Sequence, residues 1–350
     1  MAEKRMKILT MMHKIDKGGF YVRYIALVKG MLEQGYEVHY LCTHEFELKH
    51  ENLYFHKVYG LDFLPGNLFS KLFLQFYLLS YLYCKMYRVD KIVHFGEGYS
   101  AASALAKKKL SVPVVTFMRA DPIENFEIQG RMISAWIGRK LETFGFKVSS
   151  RIIVNSESLG RKLLKRNPFI RRKIRYVPND IRKEYQKKGK RLYKGKYIGF
   201  AGMIEKRKGI DNLVEAYAMV CDKIEHDLLI VGDGPLMSEL AEMIKNMKIT
   251  DRVKLLSWRD DVVDVMSSVD LLVVPSLSEG TPNVVLESLG VGTPVIGSNV
   301  DGIAEVLLNR KLLFEPYDVD KMAEKILDVF SSRKNYMAYK AMCRKRRDLF

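Results

Sequence analysis

Apolar and polar positions along this chain form two patterns, short continuous apolar runs and longer stretches with helical spacing. The short runs are rich in Val, Ile and Leu, which is typical of strands that are buried on both faces of a parallel sheet. Between the runs, the stretch Val22–Gln34 places Ile25, Val28 and Leu32 on one helical face and stops at Gly35. The repeated order of strand and helix predicts parallel sheets covered by helices on both faces.

The strand pattern divides the chain into two halves. The first half has predicted strands at Lys7–Met12, Glu37–Cys42, Lys91–Phe95, Pro113–Met118 and Arg151–Val154. After a polar, charged and aperiodic run at Arg182–Lys196, the pattern resumes with YIGFA, LLIVG, VKLL, LLVVP and PVIGS. We therefore predict an α/β fold of two Rossmann-like parallel-sheet domains, residues 1–181 and 197–332, that face each other across a cleft. Residues 182–196 are predicted to be the linker.

The spacing of the cysteines and the length of the apolar runs indicate the cellular compartment. Four cysteines stand far apart in 350 residues and form no CxxC pair, which argues against a disulfide framework and a zinc site and fits a reducing cytosol. The apolar run near the start is too short for a signal peptide, and no stretch of about 20 uncharged apolar residues could span a bilayer. We expect a cytoplasmic protein.

The net charge of +17 is unevenly distributed. Residues 1–180 carry +14 and residues 181–196 carry +7, whereas the remainder carries −4. A basic half indicates an anionic partner, and charge alone leaves nucleic acid and an anionic membrane surface open. Nucleic acid is the less favoured partner because the chain has no recognisable recognition module.

The chemistry is concentrated in SEGTPNVVLESLGVGTPVIGS, which follows the predicted strand DLLVVPS. Thr281 is a suitable N-cap and Pro282 suits the first helical position, so a helix is predicted to begin behind the loop. The amides and dipole of such a helix start bind phosphate. Glu279 and Glu287 could accept hydrogen bonds from hydroxyls of a sugar and a ribose. The segment predicts a nucleotide-sugar pocket.

Two alternative kinds of site lack their motifs. A nicotinamide dehydrogenase needs G-x-G-x-x-G after its first strand, but the first turn here has only Gly18-Gly19. No obvious cluster of His, Cys or Asp stands at metal spacing, so no metal is expected.

In the order of its motifs the chain resembles the group 1 (family 4) retaining glycosyltransferases, which have two Rossmann-like domains in the GT-B arrangement. The resemblance is densest between Gly199 and Pro316, through VGDGP, the SEGTPNVVLESLG segment and DGIAEVL. It implies transfer of a sugar from a nucleoside diphosphate sugar, most often UDP- or GDP-linked, with retention and without a metal. The acceptor would be a glycan or a lipid-linked saccharide.

The family roles can be carried over to matching positions. The resemblance implies that Glu279 approaches the donor sugar, Glu287 holds the ribose and Lys208 neutralises the leaving diphosphate. Backbone groups would face the sugar and the diphosphate at Gly19, Gly280, Thr281, Asn283 and Val284. Closure about the 182–196 hinge would exclude water.

Two departures from the family pattern change the expected site. Met203 stands where relatives have arginine, and Arg207 or Lys206 could take over its phosphate contact. Met118 and Arg119 stand where many relatives have histidine and glycine, so Arg119 or Asp121 is expected to face the cleft. These departures also motivate an alternative, a catalytically silent nucleotide-sugar-binding partner of another transferase.

Other predicted contacts have packing within the protein as an alternative explanation. Trp258 and Arg259 follow VKLL, where such folds often contact the base, and surface packing is an equal alternative. The apolar helix predicted at Leu68–Arg88 is either a packed domain helix or an interfacial helix on an anionic membrane. The helix predicted from Arg333 to Phe350 resembles the family's C-terminal helix, which returns to brace the first domain.

Overall fold

The protein is described here by a computed structural model that covers residues 5–12, 19–58, 68–187 and 189–350. It contains two compact units. The first lies within Met1–Ile123 and Arg131–Val177, and the second consists of Glu124–Gly130 and the described part of Pro178–Phe350. Each unit is built on one parallel sheet, so the predicted α/β class with two such sheets is confirmed.

The first unit has a seven-stranded sheet with the order β3-β2-β1-β4-β5-β6-β7. The strands are β1 Lys7–Met12, β2 Glu37–Cys42, β3 Leu53–Lys57, β4 Lys91–Phe95, β5 Val114–Met118, β6 Arg151–Val154 and β7 Ile174–Tyr176. The helices along this part of the chain are α1 Gly19–Glu33, α2 Leu68–Tyr87, α3 Glu97–Ala102, α4 Ala104–Leu110, α5 Pro122–Ile128, α6 Met132–Val148 and α7 Glu157–Arg166. Most of α5, from Glu124 onward, belongs to the second unit.

Crossover handedness places the helices of the first unit in two layers. The chain moves in one direction along the sheet from β1 to β3 and in the opposite direction from β3 to β7. Because βαβ crossovers are right-handed, α1 lies on one face, and α2, α3, α4 and α6 lie on the other. The β1 side chains alternate accordingly: Ile8 and Met12 pack with α1, and Leu9 and Met11 pack with α2.

The second unit has a six-stranded sheet with the order β10-β9-β8-β11-β12-β13. Its strands are β8 Tyr197–Ala201, β9 Asp227–Val231, β10 Val253–Leu256, β11 Leu271–Val274, β12 Val295–Ser298 and β13 Leu313–Phe314. Its helices are α8 Ile210–Ala218, α9 Met237–Asn246, α10 Val262–Ser268, α11 Asn283–Val291, α12 Asp301–Leu307, α13 Val319–Phe330 and α14 Arg333–Arg347. The central strand β11 is buried at every position.

The run predicted to be a linker groups with the second unit, and its role as a hinge stays a prediction. Ile181 and Tyr185 are buried in the core of that unit. Backbone amides of the run donate to side-chain oxygens around α10: Gly189 to Ser267, and Leu192 to Ser268. These backbone hydrogen bonds and the buried Tyr185 hold the run against the second unit.

The C-terminal helix α14 packs on helices of the second unit. It belongs to the second unit and packs on α11 and α13. Its buried residues, Tyr339 and Cys343, face that core, and the Tyr339 hydroxyl donates to Asp328 at 2.6 Å. The predicted bracing of the first domain by this helix stays a prediction. Within the ranges given above, no helix is long and apolar enough to cross a membrane.

Candidate functional site

The predicted donor loop lies at the carboxyl end of the second sheet, between β11 and α11. The helix begins one residue later than predicted, at Asn283, with Pro282 as N-cap residue. Pro282 has an extended ψ of 112°, so the helix cannot include it, and the predicted N-cap role of Thr281 is wrong. The first helical hydrogen bond runs from the Val285 amide to the Pro282 carbonyl. The amides of Asn283 and Val284 come before that bond, at the positive end of the helix dipole.

Glu279 and Lys208 form a largely buried ion pair beside this helix start. Lys208 Nζ lies 2.5 Å from Glu279 Oε1, and their side chains are 19% and 9% exposed. The Ser276 hydroxyl donates to the same carboxylate oxygen at 2.9 Å. Burial alone would raise the pKa of Glu279, but the nearby Lys208 and Arg207 outweigh it and hold that pKa below its ordinary value. Glu279 is therefore an anion at neutral pH.

Lys208 is placed by a turn that only glycine permits. It ends a short 3₁₀ helix, Lys206–Lys208, and is followed by Gly209 in the left-handed conformation with φ of 61°. A Cβ on Gly209 would lie 2.3 Å from the Pro275 carbonyl oxygen, at the start of the donor loop. This close approach brings the loop after β8 against the loop after β11.

Arg207 lies beside the ion pair in the same loop. Its guanidinium donates to the Ser278 carbonyl at 3.0 Å and to Glu205 Oε1 at 2.7 Å, and it lies 3.6 Å from Glu279 Oε2. Met203, where relatives carry arginine, is 40% exposed. Arg207, four residues after Met203, thus places a guanidinium beside Glu279. Sequence reasoning missed Glu205, although an acid two residues before an arginine could have indicated the pair.

Glu287 lies on α11 and faces the segment that precedes β8. Arg182 NH2 is 3.9 Å from Glu287 Oε1, and both side chains are mostly shielded from solvent. Nearby, the Asn179 side chain donates to Asn283 Oδ1 at 3.1 Å. Sequence reasoning missed Arg182 because it assigned that residue to the linker.

A second glycine allows the donor loop to lie close to the neighbouring helix α12. Gly302, on α12, lies so close that a Cβ there would be 1.7 Å from the Gly280 carbonyl oxygen and 2.5 Å from that of Glu279. The loop therefore rests on the backbone of α12. The sequence motif DGIAEVL contained this glycine, but nothing in its pattern indicated which loop it supports.

The residues predicted to contact the base have partners of their own. The Trp258 amide donates to Asp233 Oδ2 at 2.8 Å, which ties the loop after β10 to the turn after β9. The Trp258 ring nitrogen donates to Asp260 at 3.1 Å, and Arg259 forms two hydrogen bonds with Asp261. These contacts place both residues at the carboxyl end of the sheet, and their contact with a base stays a prediction.

The predicted site residues Arg119 and Asp121 of the first unit follow the carboxyl end of β5. Asp121 is 3% exposed in its side chain and accepts two hydrogen bonds from Arg166, which also binds Glu142. This geometry favours a structural role for Asp121 over the predicted catalytic one. Arg119 is half-buried, with its guanidinium 6.0 Å from the centroid of the Phe95 ring, and burial and nearby Arg23 lower its pKa to about 10.

Gly19 and Met118 also lie in the first unit. Gly19 is the first residue of α1, whereas Gly18 lies outside the described residues. Met118 is buried in the core of the first unit, which fits a packing residue. Among the residues that the structure describes, no group of three or more His, Cys, Asp or Glu side chains could hold a metal ion.

The fold of the whole chain is that of the GT-B glycosyltransferases. Sucrose-phosphate synthase from Thermosynechococcus elongatus matches with a TM-score of 0.81 at 18% identity, over 99% of this chain and 94% of that one. WaaG, a glycosyltransferase involved in lipopolysaccharide biosynthesis, matches with a TM-score of 0.80 at 17% identity, over 97% and 95%. Anabaena HepE in complex with UDP and glucose matches with a TM-score of 0.80 at 16% identity, over 99% and 94%. At these identities the likeness shows the fold alone.

Sequence comparison gives the family. Residues 181–346 match the family described as glycosyl transferases group 1, and residues 17–184 match the one described as glycosyltransferase family 4. The protein belongs to the group 1 (family 4) retaining glycosyltransferases, which use nucleotide sugars. N-acetyl-alpha-D-glucosaminyl L-malate synthase of Bacillus anthracis is 28% identical over 313 residues, 83% of this chain and 78% of that protein.

A second relative has a lipid-linked acceptor in its name. UDP-Gal:alpha-D-GlcNAc-diphosphoundecaprenol alpha-1,3-galactosyltransferase of Escherichia coli is 29% identical over 227 residues, 58% of this chain and 57% of that protein.

Proposed function

We propose that this glycosyltransferase moves a sugar from a UDP- or GDP-sugar to a lipid-linked or polysaccharide acceptor, without a metal ion, at the cytoplasmic face of a membrane. The single observation that carries the donor site is the buried Lys208–Glu279 pair beside the start of α11. A buried ion pair costs desolvation energy, and such groups are commonly functional where they adjoin a phosphate-binding helix end.

The donor assignment is supported by two similar proteins. HepE is described in complex with UDP and glucose, and the E. coli relative is named for a UDP-galactose donor. The same relative is named for a diphosphoundecaprenol-linked acceptor, and WaaG is described as acting in lipopolysaccharide biosynthesis. These names support the class of acceptor without specifying one.

In the proposed complex, the side chains of Lys208 and Arg207 and the backbone amides of Asn283 and Val284 bind the diphosphate. Glu279 accepts hydrogen bonds from sugar hydroxyls, Glu287 does so from the ribose, and Trp258 and Arg259 face the base. Seven of these eight residues, all except Glu287, are on loops or helix starts at one edge of one sheet, where open α/β folds bind ligands.

The reaction follows from charge development at the diphosphate. The bond between the anomeric carbon and the phosphate oxygen breaks, and its electron pair leaves with the nucleoside diphosphate. The acceptor hydroxyl attacks from the same face of the sugar and gives its proton to that phosphate oxygen, so the configuration is retained. Lys208, Arg207 and the helix amides stabilise the growing negative charge in place of a metal.

A panel of UDP-, GDP- and ADP-sugars in a thermal-shift assay tests donor binding, followed by assays of donor hydrolysis and transfer. Stabilisation by a donor that Glu279→Gln abolishes, with the exposed Glu242→Gln as matched control, supports the site. The absence of stabilisation by every donor overturns it. Binding without hydrolysis or transfer would instead favour the catalytically silent partner, which the replacements at Met203 and Met118 motivate.

A further inference from the structure

Helix α6 exposes an apolar surface that the sequence pattern did not reveal. Five of its apolar side chains are exposed: Met132, Ile133, Trp136, Ile137 and Phe144. Ile133 is 79% exposed and Trp136 is 62% exposed. Large contiguous apolar patches are rare on soluble monomers and mark surfaces that bind something.

Helical spacing gathers these residues on one side of α6. Ile133, Trp136 or Ile137, Lys140, Phe144 and Lys147 follow one another at intervals of three or four residues. The lysines therefore alternate with the apolar side chains, and Lys140 Nζ lies 5.9 Å from the centroid of the Trp136 ring. We call this set, with Met132, the α6 face.

The charges around the α6 face have a single sign. The exposed charged residues between 131 and 148 are Arg131, Arg139, Lys140 and Lys147. The acid of this helix, Glu142, is 1% exposed in its side chain and is bound by Arg166. A surface with this combination of aromatic, aliphatic and cationic groups is complementary to anionic headgroups above an apolar layer.

A second apolar stripe lies in the same helix layer. On α2, Leu74, Leu78, Leu82 and Met86 are exposed at intervals of four residues, beside exposed Lys85. Both α2 and α6 pack on α3. The layer thus carries two exposed apolar stripes, in the half of the chain with a net charge of +14.

We infer that the α6 face docks on the surface of an anionic lipid bilayer, with Trp136 and Ile133 entering the headgroup layer. The inference deepens the proposed function and rests on it, because a lipid-linked acceptor is presented at such a surface. A second copy of this chain is a poorer occupant. A two-fold contact through this face would oppose Lys140 and Lys147 to cations of the other copy.

Vesicle flotation tests the docking surface directly. The full chain is mixed with vesicles of phosphatidylglycerol and phosphatidylcholine, or of phosphatidylcholine alone, at low and at high salt. We expect binding to the anionic vesicles that high salt weakens, and a fall of about tenfold or more in Ile133→Ala/Trp136→Ala. Met337→Ala, an exposed apolar residue on α14 in the second unit, is the matched control and keeps wild-type binding.

Fluorescence locates the contact on α6. The chain has two tryptophans, so Trp258→Phe leaves Trp136 as the single emitter. Its emission shifts to the blue with anionic vesicles if the α6 face enters the lipid, and an unchanged spectrum overturns the inference. A dimer without vesicles that Ile133→Ala/Trp136→Ala dissociates would assign the face to a second copy and also overturn it.

The two proposals fail independently. Donor stabilisation in the thermal-shift assay needs no vesicles, and we expect Ile133→Ala/Trp136→Ala to retain it. Donor binding without vesicle binding rejects only the docking inference, whereas vesicle binding without donor binding rejects the donor site.

Discussion

Lys208 Nζ and Glu279 Oε1 are 2.5 Å apart although the residues are separated by 71 positions in the chain. The contact follows from strand order, because β8 and β11 are neighbours in the sheet and Lys208 and Glu279 lie in the loops that follow them. The carboxyl ends of neighbouring parallel strands meet at one edge. The sheet thus brings an acid and a base together at the edge where we propose that the donor binds.

Replacing Glu279 by glutamine removes the charge and keeps the shape. We expect turnover to fall by about 10²–10³, or about 3–4 kcal/mol, because a contact to the reacting sugar is lost. The free energy of unfolding should also fall, since Lys208 and Arg207 remain largely buried without their carboxylate partner. Steady-state kinetics well below the melting temperature separates the two effects. Near-normal turnover in both Glu279→Gln and Lys208→Ala would show that the assigned roles are wrong.

Arg207, and not Lys206, is expected to take the place of the arginine missing at Met203. The Arg207 guanidinium is positioned by Glu205 and the Ser278 carbonyl, whereas Lys206 is exposed. Arg207→Lys keeps the charge but loses the planar fork, so the donor Kd should rise about tenfold by titration calorimetry. Lys206→Ala is the control and should stay within about twofold of wild type. A larger effect from Lys206→Ala would transfer the role to that lysine.

Gly302→Ala tests whether the close contact with α12 determines the position of the donor loop. The new Cβ would lie 1.7 Å from the Gly280 carbonyl oxygen, so the loop must shift. A displacement of about 1 Å at a reacting group can reduce turnover by about 10²-fold. Gly30→Ala, on α1, is the matched control because its Cβ would meet nothing within 4 Å. Equal turnover for the two variants would mean that the loop does not depend on this contact.

The central strands could be predicted because they have continuous apolar runs. Short or half-exposed strands were not predicted. The runs at Lys7–Met12 and Tyr197–Ala201 coincide with β1 and β8 because both faces of these strands are covered. The sequence interpretation missed β3, whose burial falls off along the strand, and β7, which has three residues, two of them exposed. Such edge strands carry too few apolar positions to show a period.

The candidate site was predictable where one segment contains both a motif and its geometry. The loop from Glu279 to Glu287 is such a segment, and only its N-cap was misplaced by one residue. Arg182 and Gly302 were missed because each acts on a partner far along the chain. The pairing of Asp121 with Arg166, 45 positions away, was missed for the same reason. Long-range pairing is fixed by tertiary packing, which a local pattern does not contain.

Glu97 gives the first unit a stability that depends on pH. It is the first residue of α3, and burial raises its pKa from 4.5 to about 7, with a further contribution from the nearby carboxylates of Glu142 and Asp121. The folded protein therefore holds this proton more tightly than the unfolded chain does. The contribution of Glu97 to the free energy of unfolding should decrease as the pH rises from 4.5 to about 7 and level off above that.

Denaturant titration across this pH range measures the effect. Glu97→Gln cannot lose a proton, so its free energy of unfolding should fall less steeply with pH than that of wild type, and the variant should be the more stable of the two above pH 7. Glu33→Gln, at an exposed position on α1, serves as the control and should follow the wild-type curve. If Glu97→Gln and wild type gave parallel curves, Glu97 would have the same pKa in the folded and the unfolded protein, and burial would not raise it.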